Sequence, residues 1–211
     1  MAPRFPAATR AAALGLCVGL AADARLDAAE QLLDVLVRDE VGVPPEVLRN
    51  ARSVAGRIVG ETGVAIVWLD PESGRAVRAG LGGKDERGFL MSLHTVRVVA
   101  DAAGNHPGVA ARASLGFTAV DTRQAIARYR RIEDKARQTG ADVASILGHV
   151  VAHELGHLLL RRATHSAAGI MQATLDVTRA SQGRLAFSAA ERAAIRARVL
   201  ALPHRLSPQP P

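Results

Sequence analysis

The spacing of apolar residues predicts two helices and a strand in the first third of the chain. A short helix is expected over Asp27–Arg38, where a run of apolar residues follows a helical start. A second helix is predicted from about Pro45 to Gly60, because proline is tolerated in a first turn and apolar residues then recur at roughly helical spacing. Val64–Leu69 is rich in β-branched residues and lies between turn residues, which predicts a buried strand.

The middle of the chain is predicted to alternate between turns and strands. The glycine-rich region Arg75–Glu86 is typical of turns, and Phe89–Ala100 has the composition of a strand. Asn105–Gly108 is expected to be a loop, and Leu115–Val120 is a third candidate strand. The sheet predicted for this protein is therefore small.

Three helices are predicted in the second half of the chain. They cover about Thr122–Gln138, Asp142–Arg162 and Ser188–Leu202. The first is expected to end at Gly140, and the last begins with the S-x-x-E pattern of a capping box. This order of elements predicts one α+β domain over residues 25–203, followed by a polar, proline-rich tail at 204–211 that we expect to be disordered.

Composition and charge argue against a nucleic-acid partner. The 211 residues are 48% hydrophobic, which suits a single domain with a real core, and carry a formal charge of +7. Nearly all the basic residues are arginines spread along the chain, since Lys84 and Lys135 are the only lysines. Aromatic residues make up only 3%, which leaves few surfaces on which bases could stack. We therefore expect no nucleic-acid binding.

The N-terminal 24 residues have the pattern of a secretory signal peptide. Arg4 and Arg10 precede an apolar run at Ala11–Ala22, and an A-x-A cleavage site follows, ending at Ala24. The run is too short to span a bilayer as a helix, which needs about 20 residues. A buried or amphipathic first helix is the alternative. We expect a secreted or periplasmic protein with no stable membrane insertion after cleavage.

The clearest chemical motif is H-E-x-x-H, formed by His153, Glu154 and His157 on the predicted long helix. Residues four apart differ by about 40° around a helix axis, so both imidazoles project from one face and can bind one Zn²⁺. Glu154 is displaced by about 100° and can approach a water held by the metal as a general base. The residues around the motif are uncharged, which predicts a mostly buried helix. A buried, metal-free hydrogen-bonded cluster remains the alternative.

A catalytic zinc usually has three protein ligands and one open position. His165 is the leading third ligand, and Asp176 or Glu191 are alternatives. An unbroken helix would carry His165 about 12 Å beyond His157 along the axis, so the chain must leave the helix near Arg161–Thr164 and fold back.

Residues 145–172 resemble the metzincin clan of zinc metallopeptidases, with a weaker resemblance over Val47–Leu69. The clan signature is H-E-x-x-H-x-x-G-x-x-H followed by a methionine-containing turn, and here the late third histidine is followed by a G-I-M sequence ending at Met171. The resemblance implies a zincin-like fold, with a small mixed sheet, a long active-site helix and a C-terminal helix. It also implies His153, His157 and His165 as zinc ligands, Glu154 as the general base and Met171 beneath the metal.

Three departures from the clan pattern bear on activity. Leu160 replaces the metzincin glycine, and the third histidine comes eight residues after the second. No tyrosine follows the turn to stabilise an oxyanion, since Tyr129 is the only one. The expected function is zinc-dependent hydrolysis of a protein or peptide substrate, of endopeptidase type. The alternative is a secreted, non-catalytic zinc-binding or interaction module.

Overall fold

The computed structural model describes residues 31–81, 83–101 and 114–202. The predicted signal peptide at 1–24, the predicted loop at 105–108 and the predicted tail at 204–211 lie outside these residues. The described strands are β1 (Gln31–Asp39), β2 (Val64–Leu69), β3 (His94–Val99), β4 (Gly116–Ala119) and β5 (Gln124–Arg128). The described helices are α1 (Pro45–Gly60), α2 (Pro71–Gly80), α3 (Gly83–Ser92), α4 (Tyr129–Thr139), α5 (Val143–Leu160), α6 (Val177–Ser181) and α7 (Ala189–Leu200).

The five strands form one mixed sheet in the order β2-β1-β3-β5-β4. Strands β2, β1, β3 and β5 run parallel to one another, and β4 pairs antiparallel with β5 at one edge. Helices α1 and α5 pack against each other and contribute to the same core as the central strands. The predicted α+β fold with a small mixed sheet and a long motif-bearing helix is confirmed.

The helix predicted over Asp27–Arg38 is wrong over its described part, because residues 31–38 belong to the interior strand β1. Leu33, Val35 and Val37 are almost completely buried on one face. Leu36 is half-buried on the other, where a Cβ added at Gly74 of α2 would lie 3.3 Å from its Cδ1 atom. A parallel strand covered on both faces has a nearly continuous apolar run without period-two alternation, which is why its composition resembled a helix.

The turn predicted over Arg75–Glu86 is also wrong, because the region belongs to helices α2 and α3. Helix α2 begins at an unrecognised signal: Asp70 accepts a hydrogen bond from the Ser73 backbone N–H at 2.7 Å, and Pro71 occupies the first turn. The strand predicted over Phe89–Ala100 is consequently shorter, and only β3 is extended.

The helix predicted over Thr122–Gln138 is in fact a strand followed by a helix, β5 and then α4. Strand β5 has only five residues, which are too few to show the alternation of apolar and polar positions that predicts a strand. The predicted end of this helix is confirmed, since Gly140 adopts the left-handed conformation with φ 67°. The capping box at the start of α7 is also confirmed, with Ser188 and Glu191 each bonding the other's backbone N–H.

Helix α5 is the core helix of the domain. It begins at Asp142, whose side chain accepts a hydrogen bond from the Ser145 N–H at 2.7 Å. Within the described residues it is also the one helix long and apolar enough to cross a membrane, with a mean hydropathy of 1.4. However, 78% of that window is buried inside the fold, as expected for a core helix.

Candidate metal centre and active site

Three histidines from two segments meet at one point. His153 and His157 come from α5, and His165 comes from the loop that follows it. One ring nitrogen of each lies within 4.8 Å of the others. Among the described residues this is the group of histidines, cysteines and carboxylates placed to hold a metal ion. The structure thus brings together the three residues that the sequence predicted as ligands.

Backbone carbonyls orient the first two rings. The His153 Nδ1–H donates to the Ile170 carbonyl at 2.7 Å, and the His157 Nδ1–H donates to the Arg162 carbonyl at 2.8 Å. A carbonyl oxygen can only accept, so Nδ1 must carry the proton in both rings. Each neutral ring therefore presents the lone pair of Nε2, and the two Nε2 atoms face each other at 3.0 Å.

That arrangement is suited to a cation. Two lone pairs 3.0 Å apart repel each other unless a positive charge lies between them. Burial lowers the pKa of His153 to about 4 and also lowers the pKa of His157, in both cases against the hydrogen bond to the backbone carbonyl. Both rings are consequently neutral near pH 7, which is the form that binds a metal. A carbonyl acceptor on the second ring nitrogen is the usual support of a metal-binding histidine.

Helix α5 ends at Leu160, next to the segment Arg161–Thr164 in which the sequence predicted that the chain would fold back. Arg161 adopts a left-handed conformation with φ 50°, and the following residues turn back toward the helix. The Ser166 N–H donates to the Met171 carbonyl at 2.7 Å, and the Ile170 N–H donates to the Ala186 carbonyl at 3.0 Å. These two bonds fix the loop that carries the exposed His165.

The two carboxylates considered as alternative ligands have other partners. Asp176 caps α6 by accepting the Arg179 N–H at 2.9 Å. Glu191 is almost fully buried and accepts from the Arg162 guanidinium and from the Ser166 hydroxyl, both at 2.5 Å. Glu191 therefore ties α7 to both ends of the turn after α5. The sequence offered no local signal of this contact, since the partners are far apart along the chain.

Met171 is completely buried beside α5. A Cβ added at Gly156 would lie 2.5 Å from its Sδ atom and 2.8 Å from Cε1 of Phe187. Gly156 lies between the two histidines of the motif, so the thioether packs against the same stretch of helix. Its equivalence to the methionine of the metzincin turn stays a prediction.

Glu154 lies next to His153 in sequence but in a different environment. Only 5% of the residue is exposed, and its Oε2 atom accepts a hydrogen bond from the Thr118 hydroxyl at 2.6 Å. Burial raises its pKa to about 7, against the Thr118 hydrogen bond and the positive charge of Arg128, which both lower it. The carboxyl group can therefore exchange a proton near neutral pH. Sequence reasoning missed Thr118, whose contact with Glu154 depends on the packing of β4 against α5.

His149 lies one turn before His153 and does not join the three-histidine group. Its Nδ1 lies 2.7 Å from the Ser145 carbonyl of its own helix, and burial lowers its pKa. Its position matches that of a core helix histidine. His106 and His204 lie outside the described residues.

The sheet, with its antiparallel edge strand and long H-E-x-x-H helix, has the architecture of the zincin-like metallopeptidases. Among solved structures, the fold is similar to that of a zinc-dependent peptidase from Methanocorpusculum labreanum, with a TM-score of 0.53 and 15% identity over 77% of this chain and 99% of that one. It is also similar to archaemetzincin from Methanopyrus kandleri, with a TM-score of 0.52 and 14% identity over 82% of this chain and 98% of that one.

These similarities establish the fold, and the predicted resemblance to zincin-like metallopeptidases is confirmed at that level. No protein-family model matches the chain, and no curated protein matches it by sequence.

Proposed function

We propose that this chain is a zinc-dependent peptidase, with His153, His157 and His165 as metal ligands and Glu154 as the general base. The observation that carries the proposal is the pair of Nε2 lone pairs facing each other at 3.0 Å, with both Nδ1 protons committed to carbonyls. The third ring lies within 4.8 Å of this pair, which completes a three-nitrogen donor set.

This donor set fits zinc. Zn²⁺ favours imidazole nitrogens, and catalytic sites use three protein ligands with one position left open. Within the described residues no further histidine, cysteine or carboxylate joins the group. The exposed position of His165 supports access from solvent. One of the solved structures with a similar fold is a zinc-dependent peptidase, which supports zinc as the metal at this site.

When bound, Zn²⁺ supplies Lewis-acid chemistry that acidifies water and polarises a carbonyl group. Glu154 supplies the proton transfer. A carboxyl group with a pKa of about 7 can take a proton from the attacking water at Oε1 or Oε2 and pass it to the leaving amine. Burial keeps this carboxyl group away from bulk water, so its proton is delivered locally.

We further propose cleavage within a peptide chain. The supporting feature is β4, which is an edge strand of the described sheet and holds the residue that hydrogen-bonds Glu154. An extended peptide can pair with an open strand edge and continue in both directions beyond the reacting bond. Internal cleavage of a peptide blocked at both termini would support this assignment, and release of terminal residues alone would contradict it.

We also infer that the protein acts outside the cytoplasm, from the signal-peptide pattern of residues 1–24. N-terminal sequencing of protein recovered from the periplasm or medium of an expressing bacterium should begin near Arg25. Retention of the whole chain in the cytoplasm would contradict the inference.

Metal analysis and one substitution test the central proposal. The purified protein, dialysed against metal-free buffer, should retain about one zinc per chain. It should also cleave members of a quenched fluorescent peptide library. Glu154→Gln should keep the zinc but lose about 10²- to 10⁴-fold in kcat, because the amide cannot accept the proton.

The outcomes separate the two functions considered. Zinc without hydrolysis in the wild-type protein would leave the non-catalytic zinc-binding module. Absence of zinc uptake would remove both, and unchanged hydrolysis in Glu154→Gln would refute the role of Glu154.

A further inference from the structure

Two residues of the edge strand β4, Thr118 and Gly116, lie against the Glu154 side chain. The Thr118 hydroxyl lies 2.6 Å from Oε2 and 3.1 Å from the backbone carbonyl oxygen of the same residue. One hydroxyl therefore spans the side chain and the main chain of Glu154. The shorter distance identifies the carboxyl oxygen as the acceptor when Glu154 is ionised, because hydrogen bonds to charged oxygens are the shorter ones.

Gly116 provides the second contact. It lies two residues before Thr118, so both positions face the same side of the strand. A Cβ added at Gly116 would lie 2.8 Å from Oε1 of Glu154 and 2.7 Å from the Ile126 carbonyl oxygen. The carboxyl group thus occupies space that any other residue at 116 would fill.

The strand is held in a defined register. Gly116 pairs with Ala127 and Thr118 pairs with Ala125 in the antiparallel ladder between β4 and β5. The Arg128 N–H also donates to the Leu115 carbonyl at 2.8 Å, just before β4 begins. A slip of one residue would turn both contacts away from α5, so the ladder fixes them together.

We infer that Gly116 and Thr118 form a cradle that orients the Glu154 carboxyl group before substrate binds, with Thr118 as a positioning residue for the general base. This inference rests on the proposed function. A glutamate side chain has three rotatable bonds. The Thr118 hydroxyl holds Oε2, and the absence of a side chain at Gly116 leaves the space that Oε1 occupies. Proton transfer needs the acceptor oxygen within hydrogen-bond reach of the donor, so restraint of this group acts on the chemical step.

The hydroxyl can stay engaged throughout a proton-transfer cycle. While Glu154 is a carboxylate, Thr118 donates to Oε2. When the carboxyl group holds the proton, the hydroxyl can turn toward the Glu154 backbone carbonyl, 3.1 Å away, and accept from the acid. The same two residues therefore remain in contact in both states.

Three threonine variants of the full-length zinc-loaded protein test the cradle, with a quenched fluorescent peptide found by library screening as substrate. Thr118→Val should lower kcat about 10- to 100-fold, the effect of losing one hydrogen bond to a charged group, while KM and zinc content stay unchanged. Thr118→Ser should restore kcat to within about threefold of wild type, because it keeps the hydroxyl. Thr122→Val makes the same change at an exposed site nearby and should match wild type.

Either of two results would overturn the inference. In one, Thr118→Val keeps the wild-type kcat. In the other, Thr118→Ser is as impaired as Thr118→Val, which would indicate that the methyl group and not the hydroxyl matters.

Glycine variants test the other half of the cradle. Gly116→Ala should lower kcat at least tenfold with zinc retained, since the new methyl group displaces Oε1 or the strand. Gly80→Ala is the matched control, because nothing lies within 4 Å of a Cβ at that position. A wild-type kcat in Gly116→Ala would contradict the placement of Oε1.

A double-mutant cycle separates failure of the cradle from failure of the proposed function. The free energy of unfolding is measured for wild type, Thr118→Val, Glu154→Leu and the double variant, with no need for hydrolysis, because a leucine side chain cannot accept the hydrogen bond from the Thr118 hydroxyl. Non-additive effects would establish the contact even if the wild-type protein proved inactive. Additive effects would refute the cradle whether or not the protein is a peptidase.

Discussion

His94 begins β3 as a buried and neutral histidine. Only 4% of the residue is exposed, and its Nδ1 lies 2.8 Å from the Ser92 carbonyl. Burial lowers its pKa to about 4, and the charges of Arg123 and Arg198 act in the same direction. Protonation of this ring is thus disfavoured in the folded state, which couples stability to pH.

We predict that His94 makes the protein sensitive to acid between pH 6.5 and 4. Above pH 6.5 the ring is neutral in both states, so its contribution to stability is fully present. As the pH falls toward 4, the unfolded chain takes up a proton that the folded chain refuses, and about 3 kcal/mol is lost. Urea unfolding at several pH values, with zinc chelated, measures this slope.

His94→Asn is the matched variant, because the asparagine amide keeps a hydrogen-bond donor near the position of the His94 Nδ1 atom but does not titrate. It should lose less stability than wild type over the same pH range, whatever its stability at pH 7. Parallel pH profiles for the two proteins would show that another group causes the acid sensitivity.

Individual residues also show what the sequence could predict of the site. His153, Glu154 and His157 lie within one helical turn or so, and helix geometry alone fixes their relation. Arg161 carried no signal of its left-handed conformation, because a helix usually ends at glycine and tertiary contacts here impose the turn. The partnership between Glu154 and Thr118 joins distant parts of the chain, so local pattern could not reveal it.

At the scale of elements, α1 and α5 approach each other closely at Gly148. A Cβ added there would lie 2.6 Å from the Val54 Cβ atom and 2.7 Å from the Ala51 carbonyl oxygen. The Ala51 carbonyl oxygen is a backbone atom, so it cannot move away without moving α1. A glycine in a core helix therefore sets the distance between the two helices, despite its poor helix propensity.

We predict that Gly148→Ala destabilises the protein by about 2 kcal/mol, because the methyl group forces α1 and α5 apart. Denaturant unfolding measures the loss. Gly60→Ala, at the end of α1, is the control, since nothing lies within 4 Å of its added Cβ. Equal stability of the two variants would show that the helix interface adapts without cost.

Elements with local signals were predicted correctly, and elements defined by tertiary pairing were not. Helices α1 and α7 carry their own start signals in Pro45 and in the capping box at Ser188. Strand β1 has an apolar run without alternation because neighbouring elements cover both of its faces, and β5 has only five residues, so neither strand shows the period-two pattern. For α2, the glycines outweighed the Asp70 cap in the prediction, although the helix forms and lies against β1 and β2.

At the scale of the whole molecule, the three-histidine group brings together the core helix and the loop held by α7. A ligand that binds only the folded state stabilises it by about 2.7 kcal/mol at a hundredfold excess over its Kd. We predict that zinc raises the urea midpoint of the wild-type protein by an amount that depends on zinc concentration, because an ion bound by all three histidines would connect the loop to α5.

His165→Ala should fold, since the residue is exposed, but should show a much smaller zinc-dependent shift. Glu154→Gln should keep the full shift, because Glu154 is not a proposed ligand. An undiminished shift in His165→Ala would assign the third ligand elsewhere.

Helix α5 also has a consequence for how the chain reaches its native state. Its principal packing partner, α1, lies far earlier in the sequence, and four of the five described strands lie between the two helices along the chain. Until those distant parts meet, a segment with a mean hydropathy of 1.4 is exposed to other chains. Contacts between segments so far apart in the chain form slowly, because a long loop must close before they can form. Refolding yield should therefore fall as protein concentration rises, and a chaperone that shields apolar segments should restore it.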